Sequence, residues 1–239
     1  STPKPSSAAS DVYKRQLVYL DAEIPTSAQV QESGTWQTRA LQQNITDRLL
    51  YRNPDTNQLE PWIAESWTVS PDGLTYTFVI RDGVTYSDGT DLDASSVAKN
   101  LEWQSAGDEA VGTTPNAQFP SGLAATADDA SRTVTVTLPE PYAPFLNVLT
   151  GWGSGLVADA TIDASKEDQS KFVNLIGSGP FVVTSETYGK EIVLERRDGY
   201  AWAPESSPNQ GEAHLAQVTV IPVPVSYTHL RAHETLRYL

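Results

Sequence analysis

Acidic side chains are the residues of this sequence with the most obvious capacity for chemistry. Asp72, Asp82, Asp88, Asp91 and Asp93 lie close together in the chain. A glycosidase needs two carboxyl groups at a set separation, one of them with a raised pKa. Three of these residues precede glycine in Asp-Gly turns, however, and Asp93 stands where a helix N-cap belongs. We therefore interpret them as turn and cap residues and predict no catalytic residue.

Nucleophilic and metal-binding chemistry finds little support in the sequence. Ser154 lies in the stretch GWGSG, which superficially resembles the Gly-x-Ser-x-Gly turn of serine hydrolases but differs in register. Apart from two histidines near the carboxyl terminus, His214 is the only one, so Ser154 lacks a base and a multi-histidine metal site cannot form. The sequence has no cysteine, which excludes disulfides and thiolate catalysis. We expect no cofactor and no metal ion.

Tryptophans are more informative, since the chain contains six of them. Trp62 and Trp67 flank a helix-to-strand segment, and we expect them to pack in the core. Trp36 and Trp152 lie beside polar residues and glycines at the edges of predicted elements. A wide planar ring in such a position either lines a cleft or packs against a neighbour, and both interpretations stay open.

Composition and charge restrict the class of protein. With 239 residues, of which 39% are hydrophobic and 19% charged, the chain fits a globular protein of one or two domains. It has no run of about 20 apolar residues that would span a bilayer. Thirty acidic residues against 16 basic ones give a net charge of −14, which argues against nucleic acid as a partner because its backbone is also negative.

The two ends of the sequence differ in character from the rest. Residues 6–16 (SSAASDVYKRQ) and 225–235 (VSYTHLRAHET) resemble in-frame translations of the two ends of a sequencing adapter. We therefore expect residues 1–16 and 225–239 to be adapter-derived and exclude them from reasoning about the fold. These ends carry net charges of +2 and +1, which leaves −17 on residues 17–224.

Hydrophobic periodicity predicts short strands and helices in irregular order. Residues 36–51 have a mostly apolar helical stripe, formed by Ala40, Leu41, Asn44, Ile45, Arg48 and Leu49. Residues 65–69 and 74–80 alternate around a tight turn and predict a β-hairpin. Asp93 predicts the start of a helix over residues 94–103. Further strands are predicted at residues 17–20, 84–86, 133–138, 181–184, 191–195 and 215–221, a short helix within 141–149, and a long loop over 107–122. This mixture indicates an α/β or α+β domain.

Two ordered blocks carry a resemblance to a known family. The first contains LEPWIAESW (residues 59–67), SPDGLTYTF (70–78), RDGV (81–84) and SDGT (87–90), and the second contains GSGPFVV (177–183), LER (194–196) and Tyr200. The sequence resembles the extracytoplasmic solute-binding proteins of ABC importers, family 5, which include oligopeptide-, dipeptide- and nickel-binding proteins. Ile63 and Arg197 depart from the usual Leu and Asn of that pattern, and the sequence leaves the effect of Arg197 open.

The resemblance implies an α/β fold with mixed sheets, like that of type II periplasmic binding proteins. Residues 17–224 would form the N-terminal lobe, truncated and therefore incomplete. About residues 44–165 would form a scaffold subdomain inserted in that lobe. The second lobe, and the strand that completes the first, would lie beyond Pro222.

The resemblance also implies a function and a set of ligand-binding residues: Trp36, Gln37, Trp152, Gly153 and Ser154. These residues would supply apolar walls and a few polar contacts, without bond-making chemistry, so we expect no enzyme. The protein would capture an oligopeptide or another small solute outside the cytoplasmic membrane, either in the periplasm or lipid-anchored on the membrane's outer face. It would then deliver the solute to the membrane subunits of an ABC permease. We expect a monomer.

Two other functions stay open, a secreted glycoside hydrolase and the ligand-sensing domain of a regulator. Two carboxylates about 5–10 Å apart in a deep groove would favour the hydrolase. A shallow half-cleft lined by Trp36 and Trp152 would favour the binding protein. Because half of the enclosing surface would be absent, we expect peptide affinity no better than millimolar. We also expect an exposed apolar patch.

Overall fold

The structure of the protein is a computed structural model that describes residues 15–32 and 35–223. Except for Arg15 and Gln16, the two adapter-like ends lie outside the described residues. Within the described part, ten strands form three sheets. The strands are β1 (Gln16–Asp21), β2 (Leu50–Arg52), β3 (Leu59–Pro61), β4 (Ala64–Val69), β5 (Thr75–Ile80), β6 (Ala124–Asp128), β7 (Thr133–Thr137), β8 (Phe181–Thr187), β9 (Glu191–Arg196) and β10 (Gln217–Pro222). The α-helices are α1 (Trp36–Ile45), α2 (Ala94–Ala106), α3 (Phe145–Val148), α4 (Asp159–Ile162) and α5 (Lys166–Gln169), and 3₁₀ turns occur at Trp152–Ser154 and Phe172–Asn174.

The first sheet brings the two ends of the described chain together. Its strand order is β1-β10-β9-β8, with β1 parallel to β10 and the other pairs antiparallel. Helix α1 contributes Leu41 and Ile45 to the core beneath this sheet, where they join Val183 and Leu194. The four strands predicted at residues 17–20, 181–184, 191–195 and 215–221 are confirmed.

The second large sheet has the antiparallel order β4-β5-β7-β6 and packs against α2. The predicted hairpin is confirmed as β4 and β5, with Trp67 opposite Phe78. Asp93 caps α2 as predicted, because its carboxylate accepts a hydrogen bond from the Ser96 N–H at 2.8 Å. The strand predicted at 84–86 is wrong: the chain makes only an isolated bridge between Thr85 and Asp91 there.

Helix α1 ends at Ile45, whereas the periodicity predicted a helix to residue 51. Thr46 adopts an extended conformation (φ −121°, ψ 140°). The Ile45 carbonyl accepts a hydrogen bond from the Gly179 N–H at 2.8 Å, and the Asp47 carbonyl accepts one from the Leu156 N–H at 2.9 Å. Bonds to distant segments thus replace the helical ones and lead the chain into β2. In the predicted stripe, Ala40 and Asn44 are exposed.

Unusually close backbone packing surrounds this helix end. A Cβ atom at Gly177 would overlap the carbonyl oxygen of Ile45, and one at Gly179 would lie 2.6 Å from the Ile45 carbonyl carbon. A Cβ at Gly155 would overlap the side chain of Thr46. The glycines of the GSGPFVV block are therefore required by space.

A buried carboxylate lies where the two hydrophobic cores meet. Asp47 is fully buried, and it accepts hydrogen bonds from the Trp202 indole N–H at 2.8 Å and the Tyr200 hydroxyl at 3.2 Å. Burial raises the pKa of Asp47 to about 6, although these hydrogen bonds oppose the rise. Burial also lowers the pKa of the adjacent Arg48 to about 10. Hydrogen bonds from protein groups, rather than contact with water, therefore hold the Asp47 carboxyl group in place.

Arg197, one of the two residues that depart from the family pattern, links the two parts of the fold. Its guanidinium donates to the Ser178 carbonyl at 3.0 Å, and to the Thr85 hydroxyl and the Tyr86 carbonyl at 2.7 Å each. The same guanidinium lies 5.0 Å from the centre of the Trp202 ring. Arg197 therefore joins the segment after β9 to the loop between β5 and α2.

The raised pKa of Asp47 makes stability depend on pH in a defined direction. The folded pKa of about 6 exceeds the ordinary value of 3.8, so the folded protein binds the extra proton between these values. The stabilisation is complete below pH 3.8 and is lost as the pH rises through 6. It amounts to on the order of 2–3 kcal/mol. Urea denaturation from pH 4 to 7 should show that wild type loses stability relative to Asp47→Asn as the pH rises; a constant difference would contradict this prediction.

The close packing at Gly177 gives a second prediction. Gly177→Ala should lower the free energy of unfolding by about 2 kcal/mol or more, since the methyl group has no room beside Ile45. Gly211→Ala is the matched control, because a Cβ at Gly211 meets nothing within 4 Å. Thermal denaturation compares the two variants. Equal melting temperatures would mean that the backbone can move apart at no cost.

Candidate ligand-binding cleft

A cleft of about 500 Å³ opens between the segment that precedes α1, the first half of α1 and the loop after α2. Its described lining residues carry mostly polar side chains. They are Val30, Gln31, Glu32, Arg39, Gln42, Thr114, Pro115, Asn116, Ala117, Gln118 and Gly153. Glu32 and Arg39 are the two charged residues of this set, and the carboxamides outnumber them. A surface of this kind can donate and accept hydrogen bonds towards a neutral polar ligand.

The segment before α1 is fixed from behind by glutamines. The Gln29 side chain donates to the Gln169 side-chain oxygen at 2.8 Å, and the Gln42 side chain donates to the Gln29 carbonyl at 3.0 Å. The Ala28 N–H donates to the Ser170 carbonyl at 2.9 Å. These bonds hold the segment against α1 and α5, so that wall of the cleft has a defined position.

Buried carboxamides hold the wall that carries the Trp152–Ser154 turn. Asn100 donates to the Val157 carbonyl at 2.8 Å and accepts from its N–H at 2.9 Å. Gln104 donates to the Gly155 carbonyl at 3.2 Å, and Asn116 to the Gly153 carbonyl at 3.0 Å. Helix α2 and the following loop therefore set the course of residues 153–157.

Arg48 supports the same turn from the opposite side. Its guanidinium donates through Nε to the Gly151 carbonyl at 3.0 Å and lies 5.7 Å from the centre of the Trp62 ring. Trp62 is buried and Trp67 packs against the same core, as the sequence predicted. Arg48 is thus a positioning residue for the turn that begins at Gly151.

The structure brings Trp36 and Trp152 together beside the cleft. Their ring centres are 4.3 Å apart with the planes at 66°, an edge-to-face arrangement. Trp36 is 71% exposed, and the Arg39 guanidinium lies 5.7 Å from the centre of the Trp152 ring. Both open interpretations therefore apply in part: the rings pack on each other, and Trp36 still offers a wide apolar surface to a ligand.

The other three predicted site residues have different surroundings. Gly153 lines the cleft, and a Cβ there would lie 3.1 Å from the Asn116 amide nitrogen. Gln37 instead lines a second, mainly apolar cavity of about 280 Å³ beneath β1. Ser154 is buried, and its hydroxyl donates to the Gly151 carbonyl at 2.7 Å. Ligand contact by any of the five residues stays a prediction.

Sequence reasoning missed several lining residues of the cleft, among them Gln31, Arg39, Asn116 and Gln118. Asn116 and Gln118 lie in the stretch that was predicted only as a long loop. One signal was available: Asn100 and Gln104 are polar residues four positions apart on the buried side of α2. Polar residues on the inner face of a helix need partners, which here are the backbone groups of residues 155–157.

Asp72, Asp82 and Asp88 take the turn positions predicted for them and Asp93 takes the cap position, whereas Asp91 forms the isolated bridge to Thr85. Asp72 accepts from the Leu74 N–H at 3.0 Å, and these local hydrogen bonds, led by that of Ser70, lower its pKa. Asp88 accepts from the Thr90 N–H at 3.0 Å. Within residues 15–32 and 35–223, acidic and histidine side chains do not gather in groups of three or more that could hold a metal ion. His214 is exposed.

Comparison with known proteins identifies the family. Residues 58–235 match the model for the bacterial extracellular solute-binding proteins, family 5, middle region. The chain belongs to this family. The family resemblance inferred from the two sequence blocks is therefore confirmed. Among the residues that the structure describes, no helix has the length and apolarity needed to cross a bilayer.

Relatives of this family 5 chain share roughly a third of its residues over the matched part. It is 32% identical over 157 residues to the probable D,D-dipeptide-binding periplasmic protein DdpA of Escherichia coli K12, covering 64% of this chain and 29% of the relative. It is 31% identical over 147 residues to the glutathione-binding protein GsiB of Escherichia coli O1:K1, covering 62% of this chain and 28% of the relative. The matched part thus spans less than a third of the length of these relatives.

Solved structures confirm the predicted fold class of family 5. A substrate-binding protein from Microbacterium hydrocarbonoxydans in complex with 4-hydroxybenzoate hydrazide superposes with a TM-score of 0.71 at 27% identity, over 87% of this chain and 42% of that one. The binding protein DppA from Helicobacter pylori in complex with the peptide STSA gives a TM-score of 0.69 at 25% identity, over 93% and 45% of the two chains. The mixed α/β architecture of periplasmic binding proteins is therefore present here.

The hydrogen bond of Ser154 predicts a structural effect for this residue. Ser154→Ala should lower the free energy of unfolding by about 1 kcal/mol, because it removes the bond from the hydroxyl to the Gly151 carbonyl. Ser66→Ala, on the exposed side of β4, is the control and should change stability by less than about 0.5 kcal/mol. Urea denaturation measures both variants. A Ser154→Ala variant as stable as wild type would contradict the prediction.

Proposed function

We propose that this chain is part of the solute-binding component of an ABC importer for peptides. It captures the peptide outside the cytoplasmic membrane and passes it unaltered to the permease subunits. The observation that carries this proposal is the cleft beside Trp36 and Trp152, which is rich in carboxamides and poor in charge. Membership of a family of extracellular solute-binding proteins supports the same function.

The chemistry of the cleft supports a peptide as the solute. A peptide backbone alternates N–H donors and C=O acceptors, and carboxamide side chains offer both groups in return. The exposed ring of Trp36 gives an apolar surface for a side chain of the peptide. Among the relatives, DdpA is described as binding D,D-dipeptides, and the Helicobacter pylori protein was solved with a peptide.

The hydrolase alternative has less support. Among the described residues that line the cleft, Glu32 is the single carboxylate, whereas a glycosidase uses two. The regulator alternative predicts the same cleft, and no observation favours it over transport. We therefore propose a binding function without catalysis, in a protein that acts as a monomer in the periplasm or on the outer face of the membrane.

The two hydrophobic cores support a proposal for the domain organisation. One core draws on residues 49–158 with three later residues, and the other joins α1 to the sheet that contains β1 and β10. We propose that residues 17–224 form the N-terminal lobe, in which about residues 44–165 are an inserted scaffold subdomain. A ligand would then be enclosed between this lobe and a second one, whose closed arrangement it stabilises by binding that state better.

Peptide binding can be tested with the 239-residue chain and tri-alanine. NMR titration should show millimolar binding that perturbs the indole signals of Trp36 and Trp152, since one wall alone encloses the peptide incompletely. Trp36→Ala should weaken binding by about threefold or more. Tyr188→Ala is the control, because this aromatic ring is equally exposed (74%) but lies in the β8–β9 turn.

Two results would contradict the proposal. The first is the absence of any perturbation of the cleft at saturating tri-alanine. The second is an equal effect of Trp36→Ala and Tyr188→Ala on affinity.

A further inference from the structure

The Gln31 side chain has two hydrogen-bonding groups that find no partner in the described part of the chain. It lines the cleft and is 94% buried, with only 6% of its surface exposed, yet neither its amide nitrogen nor its oxygen makes a hydrogen bond. Buried polar groups in folded proteins are nearly always paired, so an unpaired amide needs an explanation.

Neighbouring carboxamides show that the unpaired state is particular to Gln31. Gln29, two residues earlier, is equally buried but donates to the Gln169 side chain. Gln42 donates to the Gln29 carbonyl. Asn116 donates to Gln104 and Gly153 and accepts from the Gln118 N–H. The buried amides of Gln29, Gln42 and Asn116 are thus paired inside the protein, whereas that of Gln31 is not.

The chemistry of the Gln31 carboxamide restricts which ligand groups can form its missing hydrogen bonds. A carboxamide offers an N–H donor and a C=O acceptor side by side. A carboxylate would satisfy only the donor, and an ammonium group only the acceptor. The N–H and C=O of a single trans peptide bond point in opposite directions, but the N–H and C=O of one extended residue point to the same side and satisfy both groups at once, as in a hydrogen-bonded pair of an antiparallel sheet. The missing partner therefore has the character of a peptide backbone.

We propose that Gln31 is a specificity-determining residue that pairs with the N–H and C=O of one extended residue of the bound peptide. This inference deepens the proposed function and rests on it. Leaving both groups unpaired in the free protein lowers its stability, and the ligand removes that cost on binding. Gln31 thus favours amide-containing solutes over solutes of similar size that lack this group.

Gln31→Met tests the proposal, since methionine has nearly the same shape without polar atoms. It should raise the melting temperature of the unliganded chain by about 2–4 °C, because two unpaired groups disappear. It should also weaken tri-alanine binding about tenfold, measured by NMR titration. Gln31→Glu keeps the acceptor but replaces the donor, and it should weaken binding as well.

Asn53→Leu is the matched control, because it removes a buried carboxamide that is already paired and lies in the β2–β3 turn, outside the lining of the cleft. It should lower the melting temperature and leave the affinity for tri-alanine nearly unchanged. Maltotriose serves as a second probe, since it presents hydroxyl groups and no amide. It should bind about tenfold more weakly than tri-alanine, and Gln31→Met should not alter its binding.

The possible results separate this inference from the proposed function. If tri-alanine binds at the cleft and Gln31→Met leaves its affinity unchanged, the role of Gln31 is wrong while peptide binding stands. A lower melting temperature of Gln31→Met would also overturn the role, because it would mean that the amide already has a stabilising partner, such as water. Maltotriose binding that depends on Gln31 would overturn amide recognition. If tri-alanine does not bind, the proposed function fails, and this inference fails with it.

Discussion

Burial of the Asp47 carboxylate at the junction of the two cores is the constraint on which the remaining structure depends. A carboxyl group without water needs donors at fixed positions. Here Trp202 and Tyr200 supply them, so the chain must return to this point more than 150 residues later. The same return brings Gly177 and Gly179 against Ile45. The position of α1, and with it one wall of the cleft, is therefore set at a junction whose residues do not line the cleft.

Local signals in the sequence were sufficient for much of the fold. Alternation around the SPDG turn defined the β4–β5 hairpin, and Asp93 defined the start of α2. The end of α1 could not be found in this way, since Thr46 leaves the helix because of bonds made by Gly179 and Leu156. The residues next to Thr46 do not indicate that Gly179 and Leu156 will lie there in the fold. The strand predicted at residues 84–86 does not form, because only an isolated bridge between Thr85 and Asp91 occurs there.

Some residues of the cleft could be predicted from the local sequence, and others could not. Trp36 and Trp152 attract attention by residue type, and they do meet beside the cleft. Gln31 and Asn116 are ordinary polar residues, and what distinguishes them is whether a partner lies within hydrogen-bonding distance. Pairing of that kind depends on segments far apart in the chain. Resemblance to a family gave the function that we propose, but it could not separate Gln31 from the paired Gln29.

Parallel pairing of β1 with β10 has a consequence for the order of folding. Gln16 pairs with Gln217, so the edge strand β1 cannot pair until β10 has been synthesised. At ordinary rates of synthesis on the ribosome this interval lasts roughly 10–40 s. Throughout it the nascent chain presents Leu17, Val18, Tyr19 and Leu20 without their strand partner, and even afterwards they are 44–63% exposed. Until its partner has been made, this strand has an unpaired edge of the kind that promotes aggregation.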